Sequence, residues 1–523
     1  MMTKKKIYSL FYNGISILFG IMMAGILFLN LFIANKREFP CKKQFLLSNI
    51  KLLIIGIIVL TVLVFIYNKF VKKCVERLTK KQCNILLLVY FVITFSMQIY
   101  LIKKIFFLTG WDVGQLRGAS YLLVQGVKLN NGNGYNAYFL TYPNNVFLLF
   151  IYVVLMKIAT TLNINPNLLL SIVSALSVNI SCLLTVKVIA QITKNKNMCV
   201  LGAFFCFIFL LFSPWIVIPY SDTYAMLFTI SVIYVYVSKD YINRNLQIFL
   251  IIVLAFIGYK IKPTVIIVLI AIILIELWKW IFKEKTIFWK GALKNVLTVG
   301  VALVMLGLLN TFSTNYLGFQ QDTNIETPMT HFLMMGMNEE KRGVYCYEDV
   351  LYTQKYVGLN NKKKANIIEI KRRLKKYGVS GYFQLLVDKS LINYDDGSFA
   401  WGVEGNFYPE ISEENGRVAS LLRNIYYNDG SGEYYNYFET ALQCVWIVLL
   451  VLCFFSFNKY RQYEITVIQL AIIGITLFLL LFEARARYLL LYGPYYIILA
   501  VLGFLFIKDK LKLFFLKHHI REF

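Results

Sequence analysis

Long, almost uninterrupted hydrophobic runs alternate with short polar segments along most of this chain. A helix needs about 20 apolar residues to cross a bilayer, and runs of suitable length lie near 7–33, 45–67, 85–107, 168–190, 199–218, 223–238, 246–260, 263–281, 291–311, 441–457, 464–482 and 488–507. Between 223 and 281 the runs are short or closely spaced, so their boundaries are soft. The pattern predicts an all-α polytopic membrane protein with about 12 transmembrane helices.

Two segments interrupt this pattern. Residues 109–167 are first polar and then apolar over 146–159, a run that is too short to cross comfortably and that we expect to lie as a helix in the outer interface. Residues 314–440 are polar and aromatic, include a basic amphipathic helix over 367–377, and are numerous enough to bury a core. The predicted regions are an N-terminal transmembrane hairpin with a basic cytoplasmic loop (1–84), a transmembrane module with the first outer loop 109–167 (85–313), an α-containing extracytoplasmic domain (314–440), and C-terminal transmembrane helices with a basic tail (441–523).

Composition and charge agree with a membrane protein. Hydrophobic residues make up 58% of the chain, more than a soluble protein could cover with polar surface. The net charge of +26 comes from basic clusters between the runs, which is typical of cytoplasmic loops and lipid headgroups rather than of nucleic-acid binding. This bias places the N-terminus inside. One loop contradicts this bias, because its four cations would lie outside (Lys36, Arg37, Lys42, Lys43). Either these cations face lipid phosphates there, or the first hairpin is placed wrongly.

The first run is too long for the core of a signal peptide, so it is predicted to be a retained transmembrane helix. The nine cysteines are scattered and include no CxxC pair. They indicate neither a disulfide framework nor a metal site.

Two acidic residues at the outer ends of the runs are candidates for chemistry, because a charge near a membrane is costly to keep. Asp112 follows Trp111 directly after the third run, where a partly desolvated carboxylate could take a proton from a hydroxyl. It could equally cap the helix after it. Asp222 lies in the tight connection between the 199–218 and 223–238 runs, where capping is the more common role of such a residue.

Three cations lie on the same side. Lys262 interrupts apolar helices and could either snorkel to the headgroups or bind a phosphate. Arg485 and Arg487 contradict the positive-inside bias, and arginine suits bidentate phosphate recognition, so they indicate an anionic partner. His331 has no His or Cys partner at ligand spacing, so no metal site is predicted. The chain also lacks P-loop, nucleophile-elbow and dinucleotide-binding motifs.

The order of these motifs resembles that of the GT-C fold glycosyltransferases, a group that includes protein O-mannosyltransferases, the aminoarabinose transferases of lipid A and many Gram-positive cell-envelope enzymes. The resemblance covers roughly residues 85–508 and rests on short motifs in a shared order: Trp111-Asp112, Tyr142-Pro143-Asn144-Asn145, Ser221-Asp222-Thr223, Lys262-Pro263 and the arginine- and tyrosine-containing segment 483–488. The strings at 330–336 and 395–399 resemble the Gram-positive branch. The extra N-terminal hairpin departs from the family, and so does Asp112 as a lone acid, which leaves metal dependence open.

The resemblance implies a hexosyltransferase that moves a sugar from a polyprenyl-phosphate carrier to a hydroxyl of a cell-envelope glycan or glycolipid. It would act on the outer face of the plasma membrane and without a cofactor. Asp112 would be the catalytic base. Six residues would bind substrate: Tyr142, Asp222, Lys262, His331, Arg485 and Arg487. The Asp112 carboxylate should then lie within about 15 Å of Arg485 or Arg487, a distance that fits a sugar phosphate and a hydroxyl.

Two other classes of protein remain open. A transporter or flippase of lipid-linked sugars should show internal repeats and broken helices at mid-membrane, and the sequence shows no repeats. A polysaccharide polymerase or ligase would depend on the outer arginines and His331 rather than on Asp112.

Overall fold

The computed structural model describes residues 4–34, 45–129, 134–282, 288–405, 410–411, 416–427, 434–458 and 463–519. Nearly all of them are helical. The α-helices are α1 (Lys4–Phe28), α2 (Asn49–Ile66), α3 (Lys72–Arg77), α4 (Lys80–Ile105), α5 (Trp111–Val124), α6 (Asn136–Thr141), α7 (Val146–Thr161), α8 (Pro166–Thr193), α9 (Lys196–Cys206), α10 (Ser221–Val237), α11 (Arg244–Ile261), α12 (Ile266–Phe282), α13 (Phe288–Leu317), α14 (Met329–Met335), α15 (Tyr347–Gln354), α16 (Leu359–Tyr394), α17 (Arg417–Tyr426), α18 (Tyr435–Phe455), α19 (Tyr463–Leu481) and α20 (Gly493–His519). Two short strands, β1 (Phe107–Leu108) and β2 (Glu410–Ile411), pair antiparallel.

Eleven helical segments of the described chain are long and apolar enough to cross a membrane. The prediction of an all-α polytopic membrane protein is therefore confirmed. All but one of these segments coincide with predicted runs, the exception being Pro143–Thr161. The predicted runs 199–218 and 223–238 instead form the shorter apolar helices Lys196–Leu211 and Ser221–Val237.

The predicted run 199–218 is wrong at its outer end, because the helix stops at Leu211. Proline has no N–H to donate, and its ring excludes the helical conformation from the residue before it. Ser213, which precedes Pro214, is accordingly extended with ψ 131°. The next residues form the buried 3-10 turn Pro214–Val217, and the chain then enters α10. This break creates the connection that carries Tyr220.

The apolar run in the first outer loop is longer than the sequence argument assumed. The 3-10 turn Pro143–Asn145 continues directly into α7, and together they give 19 helical residues, enough to cross a membrane by length. The prediction that this run is too short to cross is therefore wrong.

Contacts nevertheless hold α7 against one end of the bundle. Tyr152, in its middle, donates a hydrogen bond to the carbonyl of Pro219. Ser171, near the start of the next helix, donates to the carbonyl of Val217 at 2.7 Å. Both acceptors lie in the connection between α9 and α10, so the middle of α7 and the start of α8 meet the same short piece of chain. The depth of α7 in a membrane stays a prediction.

The segment between α13 and α18 contains a small helical unit built from α14, α15 and α16. The predicted basic helix at 367–377 lies within α16, which kinks where Gly378 has φ 58°. Arg373 of α16 is partly buried and binds Asp349 at 2.5 Å and Glu369 at 2.8 Å. The placement of this unit outside the membrane stays a prediction, and the basic loop at 36–43 lies outside the described residues.

Candidate functional site

Asp112 lies in the first turn of α5, where a tyrosine binds its carboxylate. The Tyr220 hydroxyl donates to Asp112 Oδ2 at 2.7 Å. Tyr138 is close enough for the charge of Asp112 to act on its hydroxyl. Burial, followed by the charge of Asp112, raises the pKa of both tyrosines, so both stay protonated. The N-cap of α5 is Gly110, so Asp112 is not the capping residue. Its side chain is partly exposed and can be reached by another molecule.

Asp222, at the start of α10, is 2% exposed and forms ion pairs with two cations. The Lys262 ammonium binds Oδ1, and Arg487 Nε lies 3.3 Å from Oδ2. Lys262 stands where α11 ends, because Pro263 follows it, and it points into the bundle rather than towards headgroups. The snorkelling interpretation of Lys262 therefore does not fit the structure.

Arg485 binds two further carboxylates. Its Nη1 lies 2.9 Å from Glu404 Oε2, and its Nε donates to Glu483 Oε1 at 2.7 Å. Glu404 Oε2 is also 3.6 Å from Arg487 Nε. We refer to Asp222, Lys262, Glu404, Glu483, Arg485 and Arg487 as the ion cluster.

Sequence reasoning missed Glu404, which an unusual turn brings into the cluster. The turn begins at Asp396, whose carboxylate accepts hydrogen bonds from the Ser398 N–H at 2.7 Å and the Ala400 N–H at 2.9 Å. Phe399 and Ala400 have φ of 56° and 60°, a region that side chains other than glycine rarely enter. The turn leads into the single π-helical turn Trp401–Gly405, which carries Glu404. The 395–399 string was noticed in the sequence, but only as a family resemblance.

Aromatic rings separate Asp112 from the cations of the ion cluster. The Arg487 guanidinium lies 4.6 Å from the ring centre of Trp111 and 5.3 Å from that of Tyr220. Since Tyr220 also binds Asp112 directly, one phenol ring spans the gap, and Asp112 lies within the expected distance of about 15 Å from Arg487. The Lys262 ammonium stacks 4.0 Å from the ring centre of Tyr488.

The charges of the ion cluster balance internally. Three cations face three carboxylates, so Asp112 is a further negative charge outside these pairs. Three buried atoms of these ion pairs lie at ion-pair distances but form no hydrogen bond within the described residues, namely Asp222 Oδ2, Glu404 Oε2 and Arg487 Nε. Buried polar atoms are nearly always satisfied, so these are atoms that a bound polar group would complete.

Of the two remaining predicted residues, only Tyr142 lies beside Asp112. Its ring centre is 5.4 Å from that of Tyr138, and burial raises its pKa, with smaller contributions from Tyr345, Asp112 and Glu483. These neighbours place Tyr142 at the edge of the site.

His331 lies in α14 of the small helical unit, where Nδ1 hydrogen-bonds Thr353 Oγ1 at 2.8 Å. Burial lowers its pKa to about 4. The structure does not bring His331 into contact with the ion cluster, although the polymerase alternative would pair it with the arginines. Across the described ranges, no group of three or more His, Cys, Asp or Glu side chains could hold a metal ion.

Comparison with known proteins agrees with the architecture. No curated protein and no solved structure matches this chain. One family, described as conserved hypothetical integral membrane protein, matches residues 2–505, nearly the whole length. The chain therefore belongs to the family of conserved hypothetical integral membrane proteins.

Proposed function

We propose that this integral membrane protein is a glycosyltransferase that moves a hexose from a polyprenyl-phosphate carrier to an acceptor hydroxyl of a cell-envelope glycan or glycolipid. The observation that carries the proposal is the position of Asp112. Its carboxylate accepts a hydrogen bond from Tyr220, whose ring also contacts the Arg487 guanidinium of the ion cluster. Sugar transfer from a phosphate requires a base and an anion-binding group close to each other, and here a single phenol ring lies between them.

In the proposed reaction, the acceptor oxygen attacks the anomeric carbon while its proton passes to the Asp112 carboxylate. The bond between that carbon and the phosphate oxygen breaks, and its electron pair leaves with the phosphate. The sugar carries positive charge in the transition state, as in other glycosyl transfers. The products are the glycosylated acceptor, polyprenyl phosphate and protonated Asp112.

The ion cluster would stabilise the negative charge that develops on the phosphate. Buried, fixed cations are effective here because they do not need to reorient during the reaction. Arg485 and Arg487 already pair with carboxylates, which hold the guanidinium groups in place before the substrate binds. The phosphate would then accept hydrogen bonds from the guanidinium N–H groups that these pairs do not use. Lys262, whose ammonium stacks on the ring of Tyr488, would add positive charge.

The first test measures release of polyprenyl phosphate from a radiolabelled polyprenyl-phosphate hexose, with membranes of cells lacking the gene as the source of acceptor. Asp112→Asn keeps the size of the side chain but cannot accept the proton. We expect the rate to fall about 10²–10⁴-fold, with donor binding and melting temperature nearly unchanged.

The matched control is Asp240→Asn, which makes the same change at an exposed carboxylate just beyond the end of α10 opposite to Asp222. It should leave the rate unaltered. A wild-type protein that consumes no polyprenyl-phosphate hexose would overturn the proposed activity. An Asp112→Asn variant within a few-fold of wild type would remove Asp112 from the mechanism and shift attention to Asp222.

A further inference from the structure

A large apolar cleft opens between α2, α9, α18 and α20, away from Asp112. Its volume is about 580 Å³, and most of its lining is aliphatic or aromatic, including Ile57, Leu60, Val64, Leu201, Phe204 and Val451. Protein interiors are close-packed and hold few voids larger than a water molecule. A cleft of this size with apolar walls fits a hydrocarbon chain better than water.

Two contacts of α2 explain why the cleft beside it stays open. Near its middle α2 packs tightly on α18, since a Cβ at Gly56 would lie only 2.5 Å from Val448 Cγ2. Beyond its end, the Tyr67 hydroxyl donates to Asn197 Oδ1 at 2.6 Å and ties the chain to α9. Between these two attachments α2 stands away from its neighbours, and the side chains of the facing helices do not fill the gap.

One end of the cleft is polar and basic. Its lining there includes Asn68 and Lys508, and Lys508 is exposed. Lys72 and Lys512 lie near Lys508, and the nearby carboxylates are Glu76 and Asp509, the chain neighbour of Lys508, so three cations face two carboxylates and the local balance is positive.

The cleft is distinct from the candidate site. Lys508 lies 15 residues beyond Gly493, the start of α20, and these residues place it about 22 Å along the helix from the end that carries Arg487. In the predicted topology this is the cytoplasmic end.

We propose that this cleft binds an anionic phospholipid of the inner leaflet, with an acyl chain between α2 and α9 and the phosphate beside Lys508. Basic pockets between transmembrane helices on the cytoplasmic side are suited to anionic headgroups. The net positive charge at the polar end of the cleft favours a negatively charged headgroup over a zwitterionic one. The apolar walls surround the acyl chain. This binding is independent of the glycosyl transfer proposed above.

The test uses native mass spectrometry of the purified full chain with an equimolar mixture of phosphatidylglycerol and phosphatidylcholine that carry the same acyl chains. We expect wild-type protein to retain phosphatidylglycerol about tenfold in preference. Lys508→Gln should remove most of this preference. Leu201→Trp, which fills the cleft, should reduce the retention of both lipids.

Two controls make matched changes elsewhere. Lys81→Gln removes an exposed cation outside the lining of the cleft, and Leu297→Trp enlarges an exposed apolar side chain on α13. Both should bind lipid as wild type does. Equal retention of the two lipids by wild-type protein would overturn the proposal. The proposal would also be overturned by two results together. In these, Lys508→Gln keeps the preference for phosphatidylglycerol, and Leu201→Trp, shown to be folded by its melting temperature, binds as much lipid as Leu297→Trp.

Discussion

Asp222 shows how single residues in this protein combine structural and chemical roles. Its carboxylate is shared between Lys262 and Arg487 and is almost completely buried. Removing one partner of a buried ion pair leaves the other without compensation, and this costs more than removing both. The pair therefore locks α10, α11 and the segment before α20 together, whatever it does for a substrate.

This arrangement predicts a strong energetic coupling between Asp222 and Lys262. Asp222→Asn and Lys262→Met should each lower the free energy of unfolding by about 3 kcal/mol. The double variant should lose clearly less than the sum, because neither change leaves an unpaired charge when both are made. Unfolding of purified protein in detergent, followed by tryptophan fluorescence, measures all four states of the cycle.

The matched control is the more exposed pair Lys239 and Glu464, whose charged atoms lie 2.7 Å apart. Because Lys239 is 57% exposed, the same cycle there should give a coupling below about 1 kcal/mol. Equal coupling energies at the two pairs would contradict the expectation that burial strengthens the coupling between Asp222 and Lys262.

For single residues, the sequence identifies the charged candidates but not the groups that they bind. Asp112, Asp222, Lys262, Arg485 and Arg487 stand out because each is a charge beside an apolar run. Glu404 does not, since it lies in a polar region where an acidic residue is ordinary. Its role depends on the backbone of Phe399 and Ala400, which takes a conformation that no sequence pattern there indicates. The position of His331 away from the ion cluster likewise depends on tertiary structure.

Among the helices, α16 connects the small helical unit to the candidate site through Lys389. The Lys389 ammonium is buried and donates to the carbonyls of Gly336 at 2.8 Å and Phe482 at 2.6 Å. Phe482 directly precedes Glu483, so this one side chain ties α14, α16 and the ion cluster together. Burial lowers the pKa of Lys389 to about 7, although the charge of Glu483 acts in the opposite direction.

The pKa of Lys389 predicts that stability increases with pH. Between about 7 and the ordinary value of 10.5, the unfolded chain binds more protons at this lysine than the folded chain does. Stability therefore rises with pH across that window, by about 2 kcal/mol between pH 7 and 8.5. Lys389→Met should flatten this rise in the melting temperature of the purified protein.

Lys376→Met changes an exposed lysine on the same helix and should keep the wild-type slope. A wild-type melting temperature that does not change over this pH range would contradict the assignment. The same holds if the two variants have equal slopes.

The elements themselves were largely predictable, because a bilayer imposes a minimum length on apolar helices. The errors fall at prolines. Pro214 ends the helix at Leu211 earlier than hydrophobicity suggests, while Pro143 extends α7 by starting it with a 3-10 turn. Hydrophobicity alone also cannot show that α7 meets the connection between α9 and α10, since that depends on hydrogen bonds between distant segments.

For the whole molecule, the site residues share one end of the bundle, which predicts a definite topology. A reporter fused after Lys376 should lie outside the cell, and one fused after Lys81 should lie in the cytoplasm. Alkaline phosphatase and green fluorescent protein fusions at both positions measure this directly. If both positions report the same side, the number of spans between them is wrong, and the outward-facing site cannot stand.

The contacts of Arg487 also constrain how the protein is made. Ribosomes add about 5–20 residues per second, and early segments begin to fold before late ones exist. Asp222 and Glu404 are therefore synthesised well before the arginine that binds both of them. Until α20 is inserted, these carboxylates stand at the membrane without their full set of cations. Insertion of α20 thus completes the ion cluster, and a nascent chain that lacks this helix leaves Asp222 and Glu404 without Arg487 at the membrane.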